Sequence, residues 1–129
     1  MSSPTFSAAG VNLAVLVGTL SRDPQIRTLP SGDDVLGLEL TVRPEGGPAE
    51  SVPVAWLGAP SAAANWVAGD EILVLGRVRR RYFRSDGVTQ GRTEVVATMG
   101  VPTRHAARAR RLLADAEASL ELAGEPATA

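Results

Sequence analysis

The stretch EILVLGRVRRRYFRSDGVTQGRTEVVATMGV, Glu71 to Val101, carries the reading on which the fold turns. Glu71 to Phe83 has the make-up of a long strand, rich in branched aliphatic and aromatic residues. RSDGVTQG, Arg84 to Gly91, reads as its hairpin, with Asp86-Gly87 a suitable tight-turn pair. RTEVVATMGV, Arg92 to Val101, reads as the returning strand. Strand alternation sorts the first of these strands into two faces. Ile72, Val74, Gly76 and Val78 point inward, whereas Leu73, Leu75, Arg77, Arg79, Arg81 and Phe83 point outward. Arg80 and Tyr82 face the opposite way from that outer row. The first half of the outer row is apolar, which predicts a covered or subunit-contacting surface at Leu73 and Leu75. The second half is three arginines ending in an aromatic.

The segments before this pair supply more strands. NLAVLVGTL, Asn12 to Leu20, is apolar on both faces, as a strand covered twice would be. SRDP turns the chain, since Pro24 cannot donate a ladder hydrogen bond. QIRTL is a short extended piece, and PSGDD, Pro30 to Asp34, a hairpin turn. VLGLELTV, Val35 to Val42, is the second strand, with Gly37 at a bulge or bend. RPEGGPAE is a Gly/Pro loop. SVPVAWLG, Ser51 to Gly58, is the third strand, with Val52, Val54 and Trp56 on its core face. APSAAANWVAGD suits a short helix that stops at Gly69, with Trp66 packed over the strands.

Three strands, a short helix and two long strands, in that order, predict an all-β five-stranded Greek-key barrel, the OB-fold. The expected division is a flexible arm over residues 1–10, the barrel over 11–102, a C-terminal helix over 103–124 and a disordered tail over 125–129. In that helix Arg104, Arg108, Arg110 and Arg111 precede Asp115, Glu117 and Glu121, an order that opposes the helix dipole. Leu112, Ala116 and Leu120 form a stripe that needs a partner.

Composition narrows the function classes. The formal net charge is −1, so partner choice depends on where charge sits. Lysine is absent and all 13 cationic side chains are arginine, in keeping with a GC-rich coding sequence. There are no cysteines and one histidine, His105, which leaves little for a metal centre or an acid–base site. The loop carboxylates Asp33, Asp34, Glu45 and Glu50 have nothing to orient them, and no phosphate-cradling glycine loop precedes a helix. The sequence therefore predicts neither enzyme nor cofactor. No apolar run reaches the roughly 18 residues of a membrane span. The N-terminus lacks the pattern of a signal peptide, which predicts a cytoplasmic protein.

The arginine ridge is the strongest functional signal. Neighbours on one strand face sit roughly 7 Å apart, inside a Debye length of about 10 Å at 0.1 M salt. Between Arg77 and Arg92 the only acid is Asp86, so the cations repel one another. A polyanion would relieve that repulsion and release counterions. An aromatic beside arginines can stack a base while the guanidinium groups hold phosphates. A solvated strand edge charged against aggregation is the alternative.

Two segments then resemble one family. GVNLAVLVGTLSRDPQIRTLPSGDDV resembles the start of bacterial single-stranded DNA-binding proteins, with Gly-x-Leu, Asp-Pro, an Arg-bearing piece and a Pro-Ser-Gly hairpin. GDEILVLGRVRRRYFRSDGVTQGRTEVVAT resembles their second half, with Gly-Asp, Gly-Arg, an Asp-Gly turn and Thr-Glu-Val-Val. The similarity covers about residues 10–102. It implies single-stranded DNA as partner, bound with little sequence preference in replication, recombination or repair, and a homotetramer. It implies stacking at Phe83 and phosphate contacts from basic positions including Arg27, Arg79 and Arg81. With the neighbouring cations, the expected binding set is Arg27, Arg77, Arg79, Arg81, Phe83, Arg84 and Arg92, and the expected oligomer contact is Leu73 and Leu75.

The departures are specific. Third-strand stacking positions fall at Ser51 and Leu57, while Trp56, one residue away, points to the core. The helix from Thr103 and GEPATA stand where the family has an acidic, phenylalanine-ended tail tip, so recruitment of replication proteins through a tip is not expected, and a short paralogue is the expectation. Two rival readings stay open: a paralogue that docks a protein partner through its C-terminal helix, and an RNA-binding OB module.

Overall fold

A computed structural model describes residues 10–123. The expected arm and disordered tail fall almost entirely outside those residues. The elements are strands β1 (Ala14–Leu20), β2 (Gln25–Thr28), β3 (Asp34–Val42) and β4 (Glu50–Leu57), a 3-10 turn (Ser61–Asn65), strands β5 (Glu71–Ser85) and β6 (Val88–Pro102), and helix α1 (Ala106–Ala123).

Five strands form the expected ring. The sheet order is β1-β5-β6-β4-β3, and β1 returns to β3 through the pairs Thr19 with Thr41 and Leu20 with Leu40. All pairings are antiparallel except β4 with β6. The short QIRT piece is a strand in its own right: β2 pairs with β3 and extends the sheet past the ring. The break before it is built by its neighbours as well as by Pro24. The Asp23 carboxylate accepts the Ala68 backbone N–H at 2.8 Å, and the Leu20 carbonyl accepts the Gly69 N–H at 2.8 Å. The Asp-Pro turn and the Gly-Asp before β5 thus hold each other.

The barrel core is Leu20, Leu36, Leu38, Leu40, Val54, Trp56, Ile72, Val74, Val95 and Ala97, with Ala63 plugging it from the 3-10 turn. Trp56 is the expected core filler, and Trp66 packs beside it with ring centroids 5.9 Å apart. The short helix is a single 3-10 turn with β-region residues on both sides.

Two expectations about β5 and β6 need correction. The strands do not stop at Phe83 and restart at Arg92. Pairing runs on to Ser85 with Val88, because Asp86 (φ 53°) and Gly87 (φ 76°) both take positive φ and close a two-residue turn. Val78 has the inward direction that alternation gives, yet it is 48% exposed. By that point β5 has lost its β1 partner and is held on that edge by the Asn12 side chain alone, while Val95 opposite still sits in the barrel core. The pair stands free of the barrel only beyond Arg79 and Glu94. The β1 pairing ends at Gly76, whose missing side chain lets the Val96 backbone come close, beside a register shift between Leu75 and Gly76.

The outer apolar residues of β5 are also covered differently from expectation. Leu73 (1% exposed) and Leu75 (7%) are buried with Val101 under the chain's own helix, against Ala109, Leu112 and Ala116. Leu73 and Leu75 are therefore not offered to a partner subunit. Two of the three stripe residues on α1 pack as the sequence suggests, and Ala109 joins them. Leu120 stays 50% exposed.

Candidate nucleic-acid interface

The β5–β6 pair projects as a two-stranded ribbon. From Arg77 to Ser85 and from Val88 to Thr93 no residue is buried. The register is uninterrupted along it, so the two faces follow directly. One face carries Arg77, Arg79, Arg81 and Phe83 from β5, opposite Val96, Glu94, Arg92 and Gln90 from β6. The other carries Val78, Arg80, Tyr82 and Arg84, opposite Val95, Thr93, Gly91 and Thr89. The ridge is real as a row of side chains, and Arg84, expected among the binding residues, lies on its reverse.

Where the ridge meets the barrel wall there is a groove of about 210 Å³. Arg22 and Arg27 reach it from the β1–β2 side, Arg81 and Arg92 from the ribbon. Between them the lining is Val35, Gly37, Leu38, Pro53, Val54 and Ala55, with the carboxylates of Glu39 and Glu94 also bordering it. Arg81 and Arg92 are cross-strand partners, and both line the groove. Phe83 is 39% exposed at the ribbon end of the row, and the Arg81 guanidinium lies 5.8 Å from its ring centre.

The acid that the sequence reading overlooked is Glu94. It is the only buried charged residue among those described, at 6% exposure. Its Oε1 accepts a hydrogen bond from Arg79 Nη2 at 2.8 Å and lies 3.6 Å from Arg81 Nε. Asp86 is thus not the acid that relieves the ridge. The signal was in the sequence: with the turn at Asp86-Gly87, counting back from Ser85 and forward from Val88 pairs Arg79 with Glu94. Arg77 stands exposed near the root of the ribbon, away from the groove. A second, weaker pair, Arg22 with Glu39 at 3.8 Å, sits at the groove's far end. The structure therefore brings Arg27, Arg81 and Arg92 together, ties Arg79 to Glu94, and leaves Arg77 and Phe83 at the margins.

The other large hollow, about 500 Å³, lies between Ile26, Leu57 and the 3-10 turn. Asp33 and Asp34 border it and no arginine does, so it does not suit a polyanion. The expected stacking positions on β4 are as bare as the sequence suggests. Ser51 gives its hydroxyl to Glu39 at 2.8 Å, and Leu57 is an exposed aliphatic side chain. No helix among the described residues is long and apolar enough to cross a membrane.

Comparison with known proteins points to one family. Residues 11–101 match the family model described as the single-strand binding protein family. A single-stranded DNA-binding protein of Thermus thermophilus is 35% identical over 108 residues, 78% of this chain and 41% of that protein. One from Thermus aquaticus is 35% identical over 107 residues, 77% of this chain and 40% of that protein. The crystal structure of the wild-type single-stranded DNA-binding protein from Thermus aquaticus superposes with a TM-score of 0.59 at 27% identity, over 71% of this chain and 40% of that one. The chain spans about two fifths of the length of these relatives. With the matching model covering residues 11–101, the chain belongs to the single-strand binding protein family.

Proposed function

We propose that this chain binds single-stranded DNA with little sequence preference, in DNA replication, recombination or repair. The observation that carries the reading is the groove lined by Arg27, Arg81 and Arg92 together with small and apolar residues. Guanidinium groups meet phosphates whatever the base, and the mostly small and apolar remainder of the lining offers few donors to read a base edge. Phe83, already layered with Arg81, is the stacking surface at the end of the row. With β4 bare of outward aromatics, charge carries more of the affinity than stacking. The reading rests on family and geometry together; the Thermus single-stranded DNA-binding proteins are chains about twice as long.

A homo-oligomer is part of the proposal, through a surface other than Leu73 and Leu75. The support is on β1. Val15 and Val17 are 43% and 45% exposed. While one edge of β1 pairs with β5 from Ala14 to Thr19, the other meets β3 only at Thr19 and Leu20, so before Thr19 that second edge has no strand partner among the described residues.

The test is a labelled oligo(dT) titrated at low salt. Arg27→Glu with Arg92→Glu places acids in the groove without disturbing Glu94, and abolishes binding if the site is right. Unchanged binding by that double variant would refute the assignment.

A further inference from the structure

The ribbon's reverse face has the chemistry that the ridge has partly spent. On the ridge, Arg79 and Arg81 share Glu94. On the reverse, Arg80 and Arg84 have no carboxylate within ion-pair distance among the described residues. The aromatic there is also more open: Tyr82 is 65% exposed against 39% for Phe83.

The arrangement is ordered rather than loose. Tyr82 stands across from Gly91. A Cβ on Gly91 would lie 2.8 Å from Arg80 Nε, so the Arg80 side chain occupies the space over that glycine. From there its guanidinium lies 5.4 Å from the centre of the Tyr82 ring. Arg84 follows two residues later on the same face. A cation, an aromatic and a cation in a row, separated by about 7 Å steps, match alternating phosphates and bases along a single strand. Both faces of the ribbon stand in solvent from the Arg80–Thr93 pair outward.

We propose that Arg80, Tyr82 and Arg84 form a second contact for single-stranded DNA, on the ribbon face turned away from the groove. Tyr82 stacks a base, and Arg80 and Arg84 hold the phosphates beside it. One ribbon then engages nucleic acid on both faces. This rests on the reading of the chain as a single-strand binder.

The test uses the full chain and oligo(dT) carrying 5-iodouracil, irradiated and mapped by mass spectrometry, beside affinities for three variants. The expected result is a crosslink at Tyr82. Tyr82→Ala should bind at least about fivefold more weakly, the lower end of one lost stacking contact. Tyr82→Phe should keep the affinity, because the ring is retained. Arg80→Ala with Arg84→Ala should flatten the salt dependence. Crosslinks confined to groove residues and Phe83, with Tyr82→Ala binding like the parent, would overturn the second contact and leave the groove standing. Failure of the parent chain to bind oligo(dT) at low salt would overturn both.

Discussion

Glu94 shares one carboxylate oxygen between Arg79 and Arg81, and its burial makes that sharing consequential. A buried carboxylate without partners would be costly, so the arginines satisfy it as much as it neutralises them. Both arginine side chains are partly exposed, 45% and 33%, which screens the pairs and limits their worth. Glu94→Gln should therefore lower stability only modestly, by about 1–2 kcal/mol in urea unfolding. The same change should strengthen oligo(dT) binding at low salt and steepen its salt dependence by about 0.7, the single-strand value for one more counterion released. Weaker binding with no change in slope would mean that Glu94 serves the fold alone. At this scale much was legible before the structure: the face of each residue from Ile72 to Phe83, and Trp56 in the core. The exposure of Val78 was not, because alternation gives direction and not the point where a strand outruns its barrel.

Helix α1 and the β5–β6 ribbon are opposite cases among the elements. The helix is held by a short stripe, Ala109, Leu112 and Ala116, over Leu73, Leu75 and Val101. Its charge order works against its dipole, so packing and not intrinsic helicity holds it there. Leu112→Ala should cost about 2–3 kcal/mol, within the range for a buried leucine, and loosen the helix before the barrel. Hydrogen exchange would show α1 amides losing protection first; simultaneous loss in α1 and β5 would contradict this. The stripe could be read from sequence, but its partner could not, since an apolar strand face fits a helix of its own chain or a second subunit equally well. The ribbon depends instead on its turn. Gly87→Val forces a branched side chain to φ 76° and should cost roughly 1–3 kcal/mol of ribbon stability. Binding should fall with it, because Arg81, Phe83 and Arg92 all lie beyond the barrel's support.

The molecule as a whole has a net charge of −1 and yet gathers six arginines between Arg77 and Arg92 against a single acid, Asp86. That local excess, set on a projecting ribbon beside a groove, is what makes a nearly neutral protein a candidate for a polyanion. The family match and the closed ring give the scaffold; the paucity of outward aromatics on β4 shapes the proposed binding. Affinity should lean on phosphates, and so on ionic strength, more than on stacked bases. The most direct measurement is a salt titration of oligo(dT) binding by the full chain. The account predicts saturable binding at low salt and a slope of log K against log salt of about −2 or steeper, as three or more phosphate contacts would give, flattened in the Arg27→Glu, Arg92→Glu variant. Absence of binding at low salt, or binding indifferent to both salt and that variant, would contradict it.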